Sequence, residues 1–382
     1  MDVLSIMKFV PLQITKGSVM PKGMGATFLT PIILELISRG HEVIIFTLDK
    51  ETNVKTVLEG KNLKVYIGHY RRKYRAVNFF RTEIKNLKKM IESEKLDVLH
   101  AHWTYEFAIA AQSSHNRVLL TAHDSPLKVM RYMPNFYRFV RLLLAYYSLN
   151  KAEFLTAVSQ DTANHLIKYK FYNKSNLDVI PNPVLIDEGI KNHTENKEII
   201  FASVMNGWGT LKNPIALLEA FQLLRKEYNN VKLIMIGKDY GELEQAEQWA
   251  KKNNCKDGVV FKGELDRFHL LNYLLKEVDV LVHPSLEESF SLIIAETMKL
   301  GIPIIGGKYS GAVPYTMGNG AAGLLIDVKS KYELKCAMES LMKEEVRNKY
   351  GQSGYEFATK HFKLKNIVDK YERVYLKIIN NH

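Results

Sequence analysis

The chain alternates short, continuous apolar runs with longer helix-like stretches, and it does so in two successive series. The runs EVIIFTL, LKVYIG, DVLHAHW, RVLLTAH, EFLTAVS and LDVIPN form the first. IIFASV, VKLIMIG, GVVFKG, VDVLVHPS, IPIIGG and GLLIDV form the second. Continuous rather than alternating apolar runs suit strands covered on both faces, as in parallel sheets flanked by helices. Two βαβ series therefore predict an α/β protein of two Rossmann-like, doubly wound domains. IMKFVPLQI predicts an opening strand, and FLTPIILELISRG a helix ended by Gly40. The polar segment Leu185–Glu198 reads as the linker, which puts one domain over residues 1–190 and the other over 191–361. The closing stretch FKLKNIVDKYERVYLKIINN has the pattern of a long amphipathic helix. Doubly wound domains take ligands at the carboxyl ends of their strands, so the expected site is an interdomain cleft.

A chain of 382 residues has room for two cores. Its longest apolar runs fall far short of the roughly 20 residues that span a bilayer. The first ten residues lack a basic segment and a cleavage site, and read as a strand rather than a signal peptide. Two cysteines, Cys255 and Cys336, make no disulfide framework and no metal-ligand spacing, so a reducing cytoplasm is expected. The 53 Lys and Arg against 41 Asp and Glu give a net charge of +12, which favours anionic partners. Part of that excess is clustered with aromatics, in His69–Met90 and in Pro126–Tyr147. Such segments suit an anionic membrane surface, and solvated helix faces over an ordinary core would read the same way. A nucleic-acid partner is not expected, because no recognition module accompanies the charge.

Few motifs carry chemistry on their own. GNGAAG (Gly318–Gly323) matches a dinucleotide fingerprint letter for letter, but a strand-like run follows it where a helix is required, so it reads as a surface turn. Gly23 and Gly25 are better placed, between the first strand and a helix, where backbone N–H groups can meet a phosphate. His123 falls at a strand end, where a doubly wound domain places ligands. His100 and His102 alternate on a predicted strand and are not expected to converge on one site. No histidine–carboxylate or aspartate cluster predicts a metal.

The stretch HPSLEESFSLIIAETM (His283–Met298) sets Glu288 and Glu296 eight residues apart. On one helix they would be ~12 Å apart along the axis and ~80° around it. That is wider than the roughly 5–9.5 Å of paired hydrolytic carboxylates, so an acid/base pair is not expected. Glu288 is placed instead in the loop after a strand, with a helix starting near Ser289–Ser291 whose first N–H groups favour an anion. Glu296, two turns in, can reach a neutral polyol such as a ribose.

With its continuation, this stretch, HPSLEESFSLIIAETMKLGIPIIGG, closely resembles the signature of retaining glycosyltransferase family 4, E-G-F-G-L-x-x-x-E-A-M-A-x-G-x-P-V. LISRGHEVIIFT, DVLHAHWT, TAHDS, TAVSQ, VIPNP, LKNPIALLEAFQLL, VKLIMIG and VVFKGEL occur in the family's order, over almost the whole chain. The resemblance implies a GT-B fold, with a C-terminal crossover helix (residues 362–382) returning to the first, acceptor-side domain, and a nucleotide-sugar donor on the second. It implies that Glu296 holds the ribose hydroxyls, that Glu288 faces the transferred sugar, and that Lys212 meets the diphosphate. Backbone groups of Phe290, Ser291 and Leu292 would share the diphosphate. His123 would stand near the anomeric centre, and Gly23 and Gly25 would form the first loop.

The activity implied is retaining transfer of a hexose or N-acetylhexosamine, UDP- or GDP-linked, to a lipid-linked or oligosaccharide acceptor in bacterial surface polysaccharide or glycolipid synthesis. No cofactor or metal is expected. The expected location is cytoplasmic, peripheral at the inner face of the plasma membrane. Three positions depart from the family pattern: Gly207 replaces an arginine five residues before Lys212, Ser289 and Ser291 replace glycines, and Tyr315 replaces a glutamate. The first of these motivates an alternative, a non-catalytic partner subunit that binds nucleotide sugars or glycans.

Overall fold

The structure is a computed structural model, and it describes residues 14–16, 27–51, 55–186, 189–191 and 198–381. Gly23 and Gly25, nearly all of the expected opening strand and most of the linker lie outside the described residues. The chain divides into two units: residues 1–183 with 364–382, and residues 184–363.

Among the described residues, unit 1 contains two four-stranded sheets. In one, β2 (Val43–Asp49) runs parallel to β4 (Leu63–His69). β3 (Thr56–Gly60) pairs antiparallel with β4, and β1 (Ile14–Lys16) antiparallel with β3. The β3–β4 hairpin departs from the all-parallel expectation. Its two-residue connection, Lys61–Asn62, places Asn62 at φ 56°, a conformation asparagine tolerates better than most residues. The other sheet is parallel throughout, in the order β5 (Leu99–His102), β6 (Val118–Ala122), β7 (Phe154–Ala157), β8 (Leu177–Val179). β6 and β7 are buried at every position, as their continuous apolar sequences require.

The helices of unit 1 include α1 (Leu29–Ser38), α2 (Arg81–Ile91), α3 (Glu106–Ser114), α4 (Pro126–Tyr132), α5 (Phe136–Lys151) and α6 (Gln160–Lys168). The last helix of the chain, Leu364–Asn380, also belongs to this unit. It buries Ile367, Val368, Tyr371, Val374 and Ile378, one stripe at helical spacing, in the cluster that holds Leu119 and Phe154. Its outer edge is tied to α1 by Arg39, which meets Asp369 and Glu372 at 2.6 Å each.

Unit 2 has one six-stranded sheet, parallel throughout. Its strands are β9 (Ile199–Val204), β10 (Val231–Ile236), β11 (Val259–Gly263), β12 (Val280–His283), β13 (Ile304–Gly307) and β14 (Gly323–Ile326). The spatial order is β11-β10-β9-β12-β13-β14. The chain winds outward one way from β9 and then reverses to β12, and the gap between those strands is the switch point where such sheets bind ligands. Helices α7 (Pro214–Glu227), α8 (Gln245–Lys252), α9 (Arg267–Glu277), α10 (Leu292–Lys299), α11 (Val313–Thr316), α12 (Lys331–Ser340) and α13 (Glu344–His361) complete the unit. Phe201, Leu217, Phe221, Leu233 and Val280 are fully buried in its core, each worth roughly 1.5–3 kcal/mol of transfer free energy. GNGAAG forms a short turn that ends where β14 begins, as its context predicted.

Candidate functional site

The chemistry-bearing residues of unit 2 gather at the switch point. Lys212 lies in the loop after β9, and Glu288 in the loop after β12. The two loops are tied by the Leu286 N–H, which donates to the Leu211 carbonyl at 2.8 Å. Asn213 fixes the end of the first loop: its side-chain amide donates to the carbonyls of Val328 (2.7 Å) and Pro284 (3.3 Å), and Pro214 then opens α7. This frame delivers Lys212 Nζ to 2.7 Å from Glu288 Oε1. His283, the last residue of β12, brings Nε2 to 3.2 Å from the same oxygen. Burial alone would raise the Glu288 carboxyl, but the His283 hydrogen bond and the Lys212 charge hold it down at about 2. It is therefore an ionised acceptor at neutral pH, and is not placed to donate a proton.

The loop after β13 closes over Glu288. Its carbonyl accepts from the Ala312 N–H at 2.8 Å. A Cβ on Gly311, at φ 58°, would come within 2.5 Å of that carbonyl and 2.0 Å of Glu287 Oε1. Only glycine permits this approach. Phe290 is buried edge-on against Phe362, with ring centroids 5.2 Å apart, and its carbonyl accepts from Thr316 Oγ1. Ser291 then opens α10 with a left-handed backbone, and Leu292 begins the helix. One turn further, Glu296 is 5% exposed and pairs with Arg267 Nη1 at 2.6 Å. Burial pushes the Glu296 carboxyl up, and Arg267 opposes that rise.

Arg267 and His283 were not among the residues expected from sequence. Arg267 was legible: Asp266 caps α9, its carboxylate accepting from the His269 N–H at 3.1 Å, and an N-cap directly after β11 marks the ligand edge of the sheet. His283 was inside the quoted stretch, but only the fold of the following loop brings its ring back to Glu288.

In unit 1, His123 follows β6 and packs its ring 4.8 Å from Trp103 and 4.9 Å from Phe28, centroid to centroid. His102 Nδ1 lies 2.9 Å from His123 Nε2. His100 sits beside His102, ring centroids 4.1 Å apart, with Tyr375 Oη at 2.7 Å and Thr121 Oγ1 at 2.6 Å from its two nitrogens. The expectation that His100 and His102 would not converge is corrected here. Residues two apart on a strand share a face, and both rings lie on one side of β5. Burial lowers His100 and His123 to about 3, and lowers His102 well below its ordinary value, so all three are neutral at pH 7.

Among the described residues, no group of three or more His, Cys, Asp or Glu side chains is placed to hold a metal ion. No helix among them is long and apolar enough to cross a membrane.

The family model for glycosyl transferases group 1 matches residues 186–357, and that for glycosyltransferase family 4 matches residues 25–188. The chain is 25% identical to the N-acetyl-alpha-D-glucosaminyl L-malate synthase of Bacillus anthracis, over 91% of this chain and 92% of that one. In fold it is similar to the sucrose-phosphate synthase of Thermosynechococcus elongatus, at a TM-score of 0.75 and 16% identity, over 94% and 95% of the two chains. It is also similar to Anabaena HepE, solved in complex with UDP and glucose, at a TM-score of 0.68 and 15% identity, over 91% and 95%. Two family models that together span residues 25–357, over two α/β units built largely on parallel strands, identify the chain as a glycosyltransferase of the group 1/family 4 type, with the GT-B fold.

Proposed function

We propose that this glycosyltransferase moves a hexose or N-acetylhexosamine from a UDP- or GDP-linked donor, with retention, to a lipid-linked or oligosaccharide acceptor. The observation that carries the reading is the Lys212–Glu288–His283 cluster beside the start of α10, at the switch point of unit 2. The similarity to a protein solved with UDP and glucose, and to a glucosaminyl malate synthase, supports a nucleotide-sugar donor. Departure of the nucleoside diphosphate needs its developing charge stabilised. That role is assigned to Lys212 and to the backbone N–H groups from Phe290 to Leu292, a set that needs no metal. Glu296 is assigned to the ribose hydroxyls. Glu288, ionised and acceptor-only, is assigned to hydroxyls of the transferred sugar. His123 of unit 1 is assigned to the anomeric centre, where as a neutral imidazole it serves as a hydrogen-bonding group. The acceptor hydroxyl would then lose its proton to the leaving phosphate on the same face of the sugar.

An acceptor held at the cytoplasmic face of an anionic membrane fits the surface of unit 1. Phe136, Phe139, Leu143, Tyr146 and Tyr147 are all exposed, and their spacing puts them along one face of α5. Arg131 and Arg138 add positive charge at this end of the helix pair, as an anionic surface requires. Not every basic residue of the two clustered stretches is free for this. Arg71 pairs with the buried Glu83 at 2.8 Å, and Arg141 stacks 3.6 Å over Tyr105.

The test is a panel of UDP-, GDP- and ADP-sugars with membrane extract as acceptor. Turnover with one donor and an unchanged anomeric configuration in the product is the expected result. An inverted product rejects retention. Nucleotide binding with no turnover for any donor favours the partner-subunit reading, which Gly207 in place of the family arginine motivates.

A further inference from the structure

The segment from His283 to Ser291 holds two buried polar atoms without a hydrogen-bond partner, His283 Nδ1 and Ser291 Oγ. His283 is only 2% exposed. Buried ring nitrogens and hydroxyls in folded proteins are nearly always paired, and an empty one calls for a ligand or a water. Ser291 is anomalous in a second way. Its backbone sits at φ 66°, ψ 87°, in the left-handed range that glycine enters freely and a residue with a Cβ does not. The family signature carries glycine here, so the serine keeps glycine's conformation and adds strain and an unpaired hydroxyl to it. Costs of this kind persist at ligand sites, where the strained group does something in the bound state.

The hydroxyl is also not used where a serine at a helix start is normally used. An N-cap serine accepts a hydrogen bond from the first turn of its helix. Ser291 makes none on α10, so the first N–H groups of that helix keep their own donor capacity. Three residues before Ser291, Glu288 holds the Lys212 ammonium, which reaches it from the loop after β9.

We propose that the Ser291 hydroxyl is itself a ligand of the nucleotide sugar, donating its proton to a diphosphate oxygen at the start of α10. The inference rests on unit 2 being the donor site. It gives the serine a role opposite to crowding: a side chain that only obstructed the backbone N–H groups would weaken the donor's hold, and its removal would tighten it.

Calorimetric titration with UDP and GDP of the wild type, Ser291→Ala, Ser291→Gly and Lys212→Ala decides between them. Ser291→Ala and Ser291→Gly should each bind the preferred nucleoside diphosphate about tenfold more weakly, or worse, as expected for a lost hydrogen bond to a charged group. Affinity for the matching nucleoside should not change. Ser291→Gly should at the same time raise the midpoint of thermal unfolding, because glycine relieves the positive φ. A Ser291→Gly protein that binds the diphosphate as tightly as the wild type, or more tightly, overturns the proposal. If Lys212→Ala weakens binding while both serine variants do not, the donor site stands and this inference alone falls. If the wild type binds neither UDP nor GDP, the donor-site reading falls and takes the inference with it.

Discussion

Replacing Lys212 by Met removes a charge while keeping most of the apolar stem, and the response can be worked out from the Glu288 carboxylate. That group loses its 2.7 Å partner and keeps only His283 at 3.2 Å. Burial acts to raise its pKa, yet His283 and Lys212 together bring it from 4.5 to about 2, which corresponds to ~3 kcal/mol in favour of the ionised form. The His283 hydrogen bond is the larger of the two lowering influences. The paired side chains also retain 24% and 17% exposure, so Lys212→Met should cost ~1–2 kcal/mol of stability, below the range for a fully buried pair. Glu288→Gln in the same background should cost less than it does alone, with a coupling of ~1 kcal/mol.

The pH dependence follows from the sign of the shift. The folded value lies below the unfolded one, so this stability is present above the unfolded value near 4.3 and is lost as pH falls toward 2. Urea unfolding of the wild type, both single variants and the double variant at pH 8, 5 and 3.5 should show a constant gap between wild type and Lys212→Met down to pH 5. The gap should shrink at 3.5. Additive single variants, or a gap that widens in acid, would refute the reasoning. In transfer assays the same variant should lose ~10²–10³-fold in kcat if the lysine stabilises the leaving diphosphate.

For His100, His102 and His123, whose values burial lowers in the fold, the unfolded chain takes up the protons, so stability is present above about pH 6.5 and falls by ~1.4 kcal/mol per pH unit for each of the three below it. His100→Asn should reduce the slope of unfolding free energy between pH 6 and 5 by about one proton, and an unchanged slope would show that His100 titrates inside the fold. Arg267→Gln leaves the buried Glu296 without its 2.6 Å partner and lets burial raise its carboxyl further, so donor affinity should fall, and more so as pH is lowered; an unchanged affinity would contradict the ribose role assigned to Glu296. Binding to anionic vesicles should weaken with added salt and in the Phe136→Ser, Phe139→Ser double variant, and equal binding to neutral vesicles would argue against the α5 face. Gly207 has φ 89°, so Gly207→Arg should cost ~1–2 kcal/mol and bring no gain in turnover; a variant that is as stable as the wild type and faster would show that the arginine was simply missing.

The two doubly wound series were legible because a covered parallel strand leaves a local signature, an unbroken apolar run between turn residues. β6, β7, β12 and β13, buried at every position, carry it plainly, whereas β11 alternates buried and exposed residues. The β3–β4 hairpin was not anticipated, since TVLEG holds a glutamate and little apolar sequence and takes its place through register with β4. The start of α10 was legible to within a residue, because Glu288 and Glu296 could not share one helix and do chemistry together. What escaped was pairing across loops. Arg267 is 29 positions before Glu296, and His283 must wait for the chain to turn back before its ring meets Glu288. Neither contact is encoded in local spacing: the first follows from the packing of α9 against α10, and the second from the fold of the loop after β12.

The substitutions in the site loops show how conformation and residue type come apart. At Gly311 the backbone approach leaves no room for a Cβ, so the residue and the conformation are one requirement. At Ser291 the left-handed conformation is kept although the glycine is not, so the fold alone does not explain the residue. At Gly207 the reverse holds. A Cβ there would meet no atom within 4 Å, yet φ is 89°, and the Gly207 N–H is bound to the Lys238 carbonyl at 3.1 Å. The next N–H, of Trp208, is held by Asp239 Oδ2 at 3.1 Å. This loop is therefore pinned in a shape that an arginine would resist, not opened by the loss of one. On the proposed donor-site reading, the charge that family members place there would be left to Lys212, with the Ser291 hydroxyl as the further polar contact proposed above.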